Sequence, residues 1–350
     1  MSKVLFILKR RPDFDAKVHN HVGLSTGLYN SAKFMNDMLL AQGVDSRLEV
    51  VEDYNKIDRQ CYLHKPTHVI IEAIWVIPQK FIALQKLHPN IKWIVRVHSE
   101  MPFLAGESMA MDWLADYSGF KNVIFGINAP RMMEEVKIYL QHRNSWTDEQ
   151  TAERIIYLPN YYPQDYKIKE FNRDKDTIDI SCFGAVRPLK NHLLQAIAAI
   201  GFANQKGKKL RFHINAGRIE MQGGPVIKNL KSVFQQIHGK GHELVNHLWR
   251  PREEFLDLCS EMDIGLQCNL SETFNIVGAD LISQGIPLIG NADEIPWALP
   301  EFSADPNDTK DIIRQLHHAY DIPQANVRLQ QDSLTRYTNN TADLWTKYFS

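Results

Sequence analysis

The sequence is short of the features that would point outside the cell or into a membrane. Its 350 residues hold four cysteines, Cys61, Cys182, Cys259 and Cys268. These show neither the close pairs of a disulfide framework nor the spacing of a metal site, so reduced, mostly buried thiols are expected. No hydrophobic run approaches the length of a membrane span. Met1-Ser2-Lys3 leads directly into Val4-Leu5-Phe6-Ile7-Leu8, which reads as a strand and not as a signal peptide. The expectation is a cytoplasmic protein. Charge of one sign is not in excess either, since 40 Lys plus Arg stand against 41 Asp plus Glu for a formal charge of −1. That excludes a globally basic nucleic-acid binder but leaves room for a local basic patch. Gly-x-Gly-x-x-Gly is missing after the first strand, which weakens a dinucleotide reading. What remains, with 44% hydrophobic residues, is chain enough for two domains of ordinary size.

The stretch around which the rest is organised is Ser271-Glu272-Thr273-Phe274-Asn275-Ile276-Val277-Gly278-Ala279-Asp280-Leu281-Ile282-Ser283-Gln284-Gly285, followed by Ile286-Pro287-Leu288-Ile289-Gly290. It reads as a loop, a helix starting near Phe274 or Asn275, a glycine stop at Gly285 and a buried strand. Glu272 precedes the first turn, and Asp280 stands about two turns further on, so both carboxylates can reach one region above the helix N-terminus. Free backbone N–H groups at Asn275 and Ile276, with the positive end of the helix dipole, suit a phosphate there, while carboxylates suit sugar hydroxyls. Together they point to a sugar phosphate. The competing reading is an N-capped helix whose Glu merely complements the dipole.

This pattern of acid, seven residues, acid, with Phe-small after the first acid and a small-residue helix ending in Gly-x-Pro, resembles the signature of retaining GT-B glycosyltransferases of the family 4-like kind. The resemblance implies that Glu272 contacts the donor sugar and Asp280 the ribose, with Thr273, Phe274, Asn275 and Ile276 around the donor. Asp stands where Glu is usual at the second acid, and Asn275 where Gly is usual. A second motif follows the strand Ile178-Asp179-Ile180-Ser181-Cys182-Phe183, in Gly184-Ala185-Val186-Arg187-Pro188-Leu189-Lys190-Asn191-His192. Its Gly-x-x-Arg-x-x-Lys resembles the pair of cations that neutralise the donor diphosphate in those enzymes. Fixed cations there act most strongly on the charge that develops as the nucleoside diphosphate departs. Arg187 and Lys190 are therefore the leading catalytic candidates, with Gly184 at the donor phosphates.

Along the chain, residues 4–8 and the glycine-flanked helix start Gly23-Leu24-Ser25-Thr26-Gly27-Leu28-Tyr29 form a strand, loop and helix unit that ends at Gly43. By resemblance Gly23 and Gly27 touch the donor phosphates or the acceptor. The loop between, Lys9-Arg10-Arg11-Pro12-Asp13-Phe14-Asp15-Ala16-Lys17-Val18-His19-Asn20-His21, carries four fixed cations and two histidines. Loops after strand C-termini line the crevice of an open α/β sheet, so a polyanionic acceptor is one reading and a solvated charged loop the other. Asp13-x-Asp15 and Asp174-x-Asp176 match the Asp-x-Asp of metal-dependent transferases, and His19-Asn20-His21 matches part of a nuclease motif; such three-residue matches arise by chance and have no supporting context. Strands at 69–73, 93–98 and 123–127 alternate with helices at 78–87 and 130–139, which argues for a parallel sheet covered on both faces. His98 closes one of these strands, and by resemblance it hydrogen-bonds the donor sugar, with Glu100 as a weaker companion. Leu158-Pro159-Asn160-Tyr161 resembles the segment that ends the first domain, and a polar run from 164 to 177 reads as the connection. Past a strand near 245, Trp249 and Arg250 are candidates for the nucleotide base. A terminal helix near 327–349 sets Leu344, Trp345 and Tyr348 on one side.

The expected architecture is α/β GT-B, two Rossmann-like doubly wound domains facing across a cleft. Residues 1–165 form the acceptor-side domain, 166–176 a linker, 177–325 the nucleotide-sugar domain, and 326–350 a helix returning to the first domain. The expected activity is metal-independent, retaining sugar transfer from a nucleoside diphosphate sugar, with UDP-sugar commonest among relatives, to a hydroxyl acceptor. No metal and no separate cofactor are expected. The first domain is faintly similar to phage enzymes that glycosylate hydroxymethylated pyrimidines in DNA, which would work in the host cytoplasm. A polysaccharide or lipopolysaccharide acceptor is the alternative, and a GT-B-fold epimerase or a silent sugar-nucleotide binding module are the readings from other classes. No apolar-basic helix for membrane docking is evident.

Overall fold

The computed structural model of the chain describes residues 2–9 and 26–350, which form two compact units, Met1–Pro163 with Thr338–Ser350 and Gln164–Tyr337. In the first unit, β1 (Lys3–Lys9), β2 (Asp45–Val51), β3 (His68–Glu72), β4 (Lys92–Val97), β5 (Val123–Ile127) and β6 (Ile155–Tyr157) make one sheet in the order β2-β1-β3-β4-β5-β6. Every pairing in it is parallel. The five central residues of β1 are all buried, as a strand covered on both faces requires. The edge strand β2, Asp-Ser-Arg-Leu-Glu-Val-Val, mixes exposed and buried positions instead, with Asp45, Arg47 and Val50 exposed and Ser46 and Val51 buried. Its charges hide it from a search for apolar runs.

The helices of this unit include α1 (Thr26–Ala41), α2 (Ile57–His64), α3 (Pro78–Leu87), α4 (Met101–Leu104), α5 (Ala110–Ser118), α6 (Pro130–Asn144) and α7 (Asp148–Arg154). Helix α1 buries Ala32, Met35, Met38 and Leu39, an i, i+3, i+4 stripe, and Gly43 turns the chain behind it at φ +79°. Two strands of this unit carry a buried charge, Glu72 at the end of β3 and Arg96 near the end of β4.

The second unit holds β7 (Thr177–Ser181), α8 (His192–Gln205), β8 (Lys209–Ile214), α9 (Gly223–Gln236), β9 (Glu243–Asn246), α10 (Arg252–Ser260), β10 (Ile264–Gln267), α11 (Ile276–Ser283), β11 (Leu288–Gly290) and α12 (Thr309–Asp321). Its sheet runs β11-β10-β7-β8-β9, again parallel throughout. Residues 164–176 have neither helix nor strand, yet they are tied to this unit. The Lys167 N–H donates to Ser283 O at 2.7 Å, and Lys169 Nζ donates to Ser260 O and Met262 O at 2.6 Å each. They lie so close over Gly285, φ +78°, that a Cβ there would stand 2.9 Å from Lys169 N. That contact and the left-handed backbone both call for glycine.

The last helix, α13 (Pro323–Phe349), belongs to the second unit through Tyr337 and to the first from Thr338. In the second unit its Gln330 satisfies the outer strand β11, with Oε1 accepting the Leu288 N–H at 3.0 Å and Nε2 donating to Leu288 O at 2.6 Å. A side-chain amide thus stands where a further strand would bond. In the first unit Trp345 and Phe349 enter the core, whereas Leu344 is exposed. The expected common side for Leu344 and Trp345 is corrected by the helix's true phase. All four cysteines are buried and free. Among the described residues no helix is long and apolar enough to cross a membrane.

Candidate active site

From β7 the chain moves outward to β8 and β9, then crosses back to lay β10 on the other flank of β7. The topological switch point of this sheet therefore lies between β7 and β10, where ligands of open α/β sheets bind beyond the strand C-termini. Both sequence motifs hang from those two strand ends. Their loops are stitched together: the Leu270 N–H donates to Leu189 O at 2.9 Å, and Asn191 Nδ2 donates to Cys268 O at 3.2 Å. Gln195 links them again, donating to Lys190 O at 2.8 Å and accepting the Cys268 N–H at 2.9 Å.

The stitching brings Lys190 onto Glu272. Lys190 is only 7% exposed, and its Nζ makes an ion pair with Glu272 Oε2. That oxygen also accepts Asn269 Nδ2 at 3.2 Å, while Oε1 accepts the Thr273 N–H at 3.1 Å. The Glu272 N–H donates to Glu294 at 2.9 Å. Burial alone would raise the Glu272 pKa, but the charges of Lys190 and then Arg187 outweigh it and hold the carboxyl below its usual range. Arg187 itself is paired with Glu220 at 3.1 Å.

Gly184 sits at the centre of this arrangement. Its N–H donates to Asn215 Oδ1 at 3.2 Å, and a Cβ built on it would be 4.0 Å from both Lys190 Cε and Val277 Cγ2. There is room for a methyl group, so what demands glycine is φ, +115°. Gly184→Ala is expected to cost about 1–3 kcal/mol through that backbone conformation. Chemical denaturation checks it, and an unchanged midpoint would show that the loop can adopt another shape.

Helix α11 begins at Ile276, one or two residues later than expected, because Asn275 acts as its N-cap at φ +61°. Asn275 Oδ1 accepts the Gly278 N–H at 2.8 Å, and Nδ2 donates to Gln267 Oε1 at 2.9 Å. Gln267 in turn donates to Phe183 O at 2.9 Å. The cap is thus held by the ends of β10 and β7. It leaves the Ile276 and Val277 N–H groups without a partner among the described residues, an arrangement that accepts an anion. Thr273 is buried, and the Phe274 ring belongs to the core, 5.7 Å from Tyr337 and 6.2 Å from Trp297. Asp280 is buried on the second turn and paired with Arg252 at 2.6 Å. Any ribose contact by Asp280 is therefore made beside a guanidinium that the sequence alone does not announce.

Strand β9 stops at Asn246. Trp249 and Arg250 lie in the irregular segment beyond it, both half-buried. The Arg218 guanidinium lies over the Trp249 ring at 5.5 Å, and the backbone there packs on Gly217, whose Cβ would stand 2.9 Å from Trp249 N.

His98 belongs to the first unit. It follows β4, and its Nε2 lies 2.5 Å from Glu72 Oε2. Glu72 also meets Arg96 at 3.2 Å, and Arg96 bonds Asn160 and Leu158 O. Burial pushes the His98 pKa down, a shift that Glu72 opposes and Arg96 reinforces. Glu100 is buried and ion-paired with Arg131. Gly27 is the second residue of α1, while Gly23 and residues 10–21 fall outside the described residues. Lys175, inside the second Asp-x-Asp match, pairs with Asp179 at 2.9 Å and Asp263 at 2.6 Å. Among the described residues no group of three or more His, Cys, Asp or Glu could hold a metal ion.

The structure thus brings Gly184, Arg187, Lys190, Glu272, Asn275 and Ile276 to one strand-end region of the second unit. Sequence reading misses Asn269, Gln267, Glu294, Glu220, Arg218 and Arg252, which are polar residues in unremarkable contexts. Glu72 and Arg96 do have a signal, a charge inside an otherwise apolar strand.

Two parallel-sheet α/β units of this topology define the GT-B fold of glycosyltransferases. Sucrose-phosphate synthase from Thermosynechococcus elongatus superposes with a TM-score of 0.67 at 13% identity, covering 99% of this chain and 98% of that one. A UDP-forming alpha,alpha-trehalose-phosphate synthase from Burkholderia xenovorans gives 0.65 at 12%, covering 100% and 98%. The Anabaena protein HepE, in complex with UDP, gives 0.61 at 11%, covering 98% and 96%. At these identities the likeness is one of fold. No family model matches the sequence, and no curated protein matches it.

Proposed function

We propose that the protein is a retaining, metal-independent glycosyltransferase that moves a sugar from a nucleoside diphosphate sugar to a hydroxyl acceptor in the cytoplasm. The observation that carries this reading is the Lys190–Glu272 pair, with Arg187 in electrostatic reach, at the β7/β10 switch point. In the proposed mechanism Arg187 and Lys190 bind the diphosphate and offset the charge it gains as the glycosidic bond breaks. The Ile276 and Val277 N–H groups add donors to the same phosphates. Glu272 and His98 hydrogen-bond the sugar, Asp280 the ribose, and Trp249 and Arg250 the base. The acceptor attacks from the face that the diphosphate leaves, and the departing phosphate takes the acceptor proton, so configuration is retained without a side-chain base.

A uridine donor is favoured because one similar structure is described as UDP-forming and another binds UDP. The acceptor reading comes from sequence: the cations between Lys9 and His21 favour a polyanion, for which DNA carrying hydroxymethylated pyrimidines is one candidate and a polysaccharide or lipopolysaccharide the alternative. Incubation with a panel of radiolabelled nucleotide sugars and both acceptor pools tests this. Label on DNA supports the whole reading. Label on envelope material alone moves the protein to polysaccharide assembly, and interconversion of the sugar without any acceptor would make it an epimerase. Nucleotide-sugar binding with no turnover in any pool would leave a silent binding module.

A further inference from the structure

We infer that Glu220 is a built-in stand-in for a donor phosphate, and that Arg218 is a third cation of the diphosphate site beside Arg187 and Lys190. The inference rests on the donor reading above and deepens it. The loop that follows β8 is paired with the loop that follows β7. The Val186 N–H donates to Arg218 O at 2.9 Å, and the Glu220 N–H donates to Val186 O at 3.0 Å. Gly223 closes the contact, since a Cβ there would stand 2.0 Å from Val186 O. This clamp sets Glu220 between two guanidiniums, one carboxylate oxygen to each: Oε2 faces Arg187 Nη1 at 3.1 Å, and Oε1 faces Arg218 Nη2. The arginine side chains are only 17% and 13% exposed.

Buried guanidiniums are costly without a counter-charge, which explains why an empty diphosphate site would carry its own carboxylate. A diphosphate offers two charges and the same forked oxygen geometry that guanidiniums prefer. It would displace Glu220, whose side chain is 21% exposed and can turn to solvent. Arg218 is held for the exchange by its stacking on Trp249, 5.5 Å away.

The test is calorimetric binding of UDP and of inorganic pyrophosphate to the full chain. Glu220→Gln removes the competing charge and should tighten pyrophosphate binding about tenfold, whereas Arg218→Gln should weaken it about tenfold. Glu220→Asp, which cannot span both guanidiniums, should also tighten binding and covers the case in which the glutamine variant does not fold. Unchanged or weaker binding in both Glu220 variants overturns the inference, as does an unaffected Arg218→Gln. If the wild type binds the probes and Lys190→Ala weakens them while the Glu220 variants stay level, the donor reading stands and this inference falls alone. If the wild type binds neither UDP nor pyrophosphate, both fall together.

Discussion

Lys190→Ala is expected to lower kcat at least about a hundredfold, which corresponds to about 2.7 kcal/mol of transition-state stabilisation. The size follows from where the ammonium sits. Lys190 is 7% exposed, in a loop pinned on both sides by Gln195 and by the Leu189–Leu270 bond, so its charge needs no reorganisation when the leaving diphosphate gains negative charge. A solvated lysine in a mobile loop would give far less. The substitution also strips Glu272 of its closest counter-charge, and the Glu272 pKa then moves upward because Lys190 is the largest influence lowering it. Loss of activity could therefore come from the missing cation or from a disturbed Glu272. The double variant Lys190→Ala/Glu272→Gln should recover thermal stability lost in the single variant, since the carboxylate left without Lys190 is removed with it. An unchanged kcat in Lys190→Ala would remove the residue from the mechanism, whatever happened to stability.

The same pair shows what can be read without coordinates. Gly184, Arg187 and Lys190 stand within one short loop, and Glu272 to Asp280 within one stretch of loop and helix start, so residue type and local spacing suffice to single them out. That the loops meet is a consequence of strand order, β10 beside β7, which a sequence read in one direction does not contain. The partners are harder still. Glu220 reaches Arg187 only through the pairing of Val186 with the loop after β8, and Arg252 reaches Asp280 only because α10 packs beside α11. Nothing local distinguishes either from a solvated charge. Among the elements, buried strands such as β1 announce themselves through unbroken apolar runs. The edge strand β2 does not, because Asp45, Arg47 and Glu49 interrupt its apolar residues. Helix α12, read over in the sequence, buries Ile312, Leu316 and Ala319. That is a helical stripe, but in a segment with no motif to draw attention to it.

Trp345→Ala is expected to destabilise the first unit by about 3–5 kcal/mol, the cost of emptying a large aromatic site in a closed core. Trp345 is fully buried between Phe6 at 5.9 Å and Phe349 at 5.8 Å, and its Nε1 donates to Pro159 O at 2.9 Å. Truncation therefore opens a cavity and also leaves a buried carbonyl without its donor. Its neighbour Leu344 is exposed, so Leu344→Ala should stay within about 0.5 kcal/mol, and urea denaturation of the two variants side by side reads the phase of the helix directly. Equal losses would mean that the helix presents a different face to the core. The effect also reaches His98 within the same unit. The Arg96 guanidinium lies 5.1 Å over the Trp345 ring, Arg96 holds Glu72, and Glu72 holds His98. A Trp345→Phe variant keeps an apolar ring over Arg96 and gives up only the indole N–H, so it should recover most of the stability and leave His98 in place. If His98 contacts the donor sugar, Trp345→Ala should raise KM for the donor more than Trp345→Phe does, measured well below the unfolding temperature of both. Equal KM values would leave the buried Arg96–Glu72 pair as a feature of the fold alone.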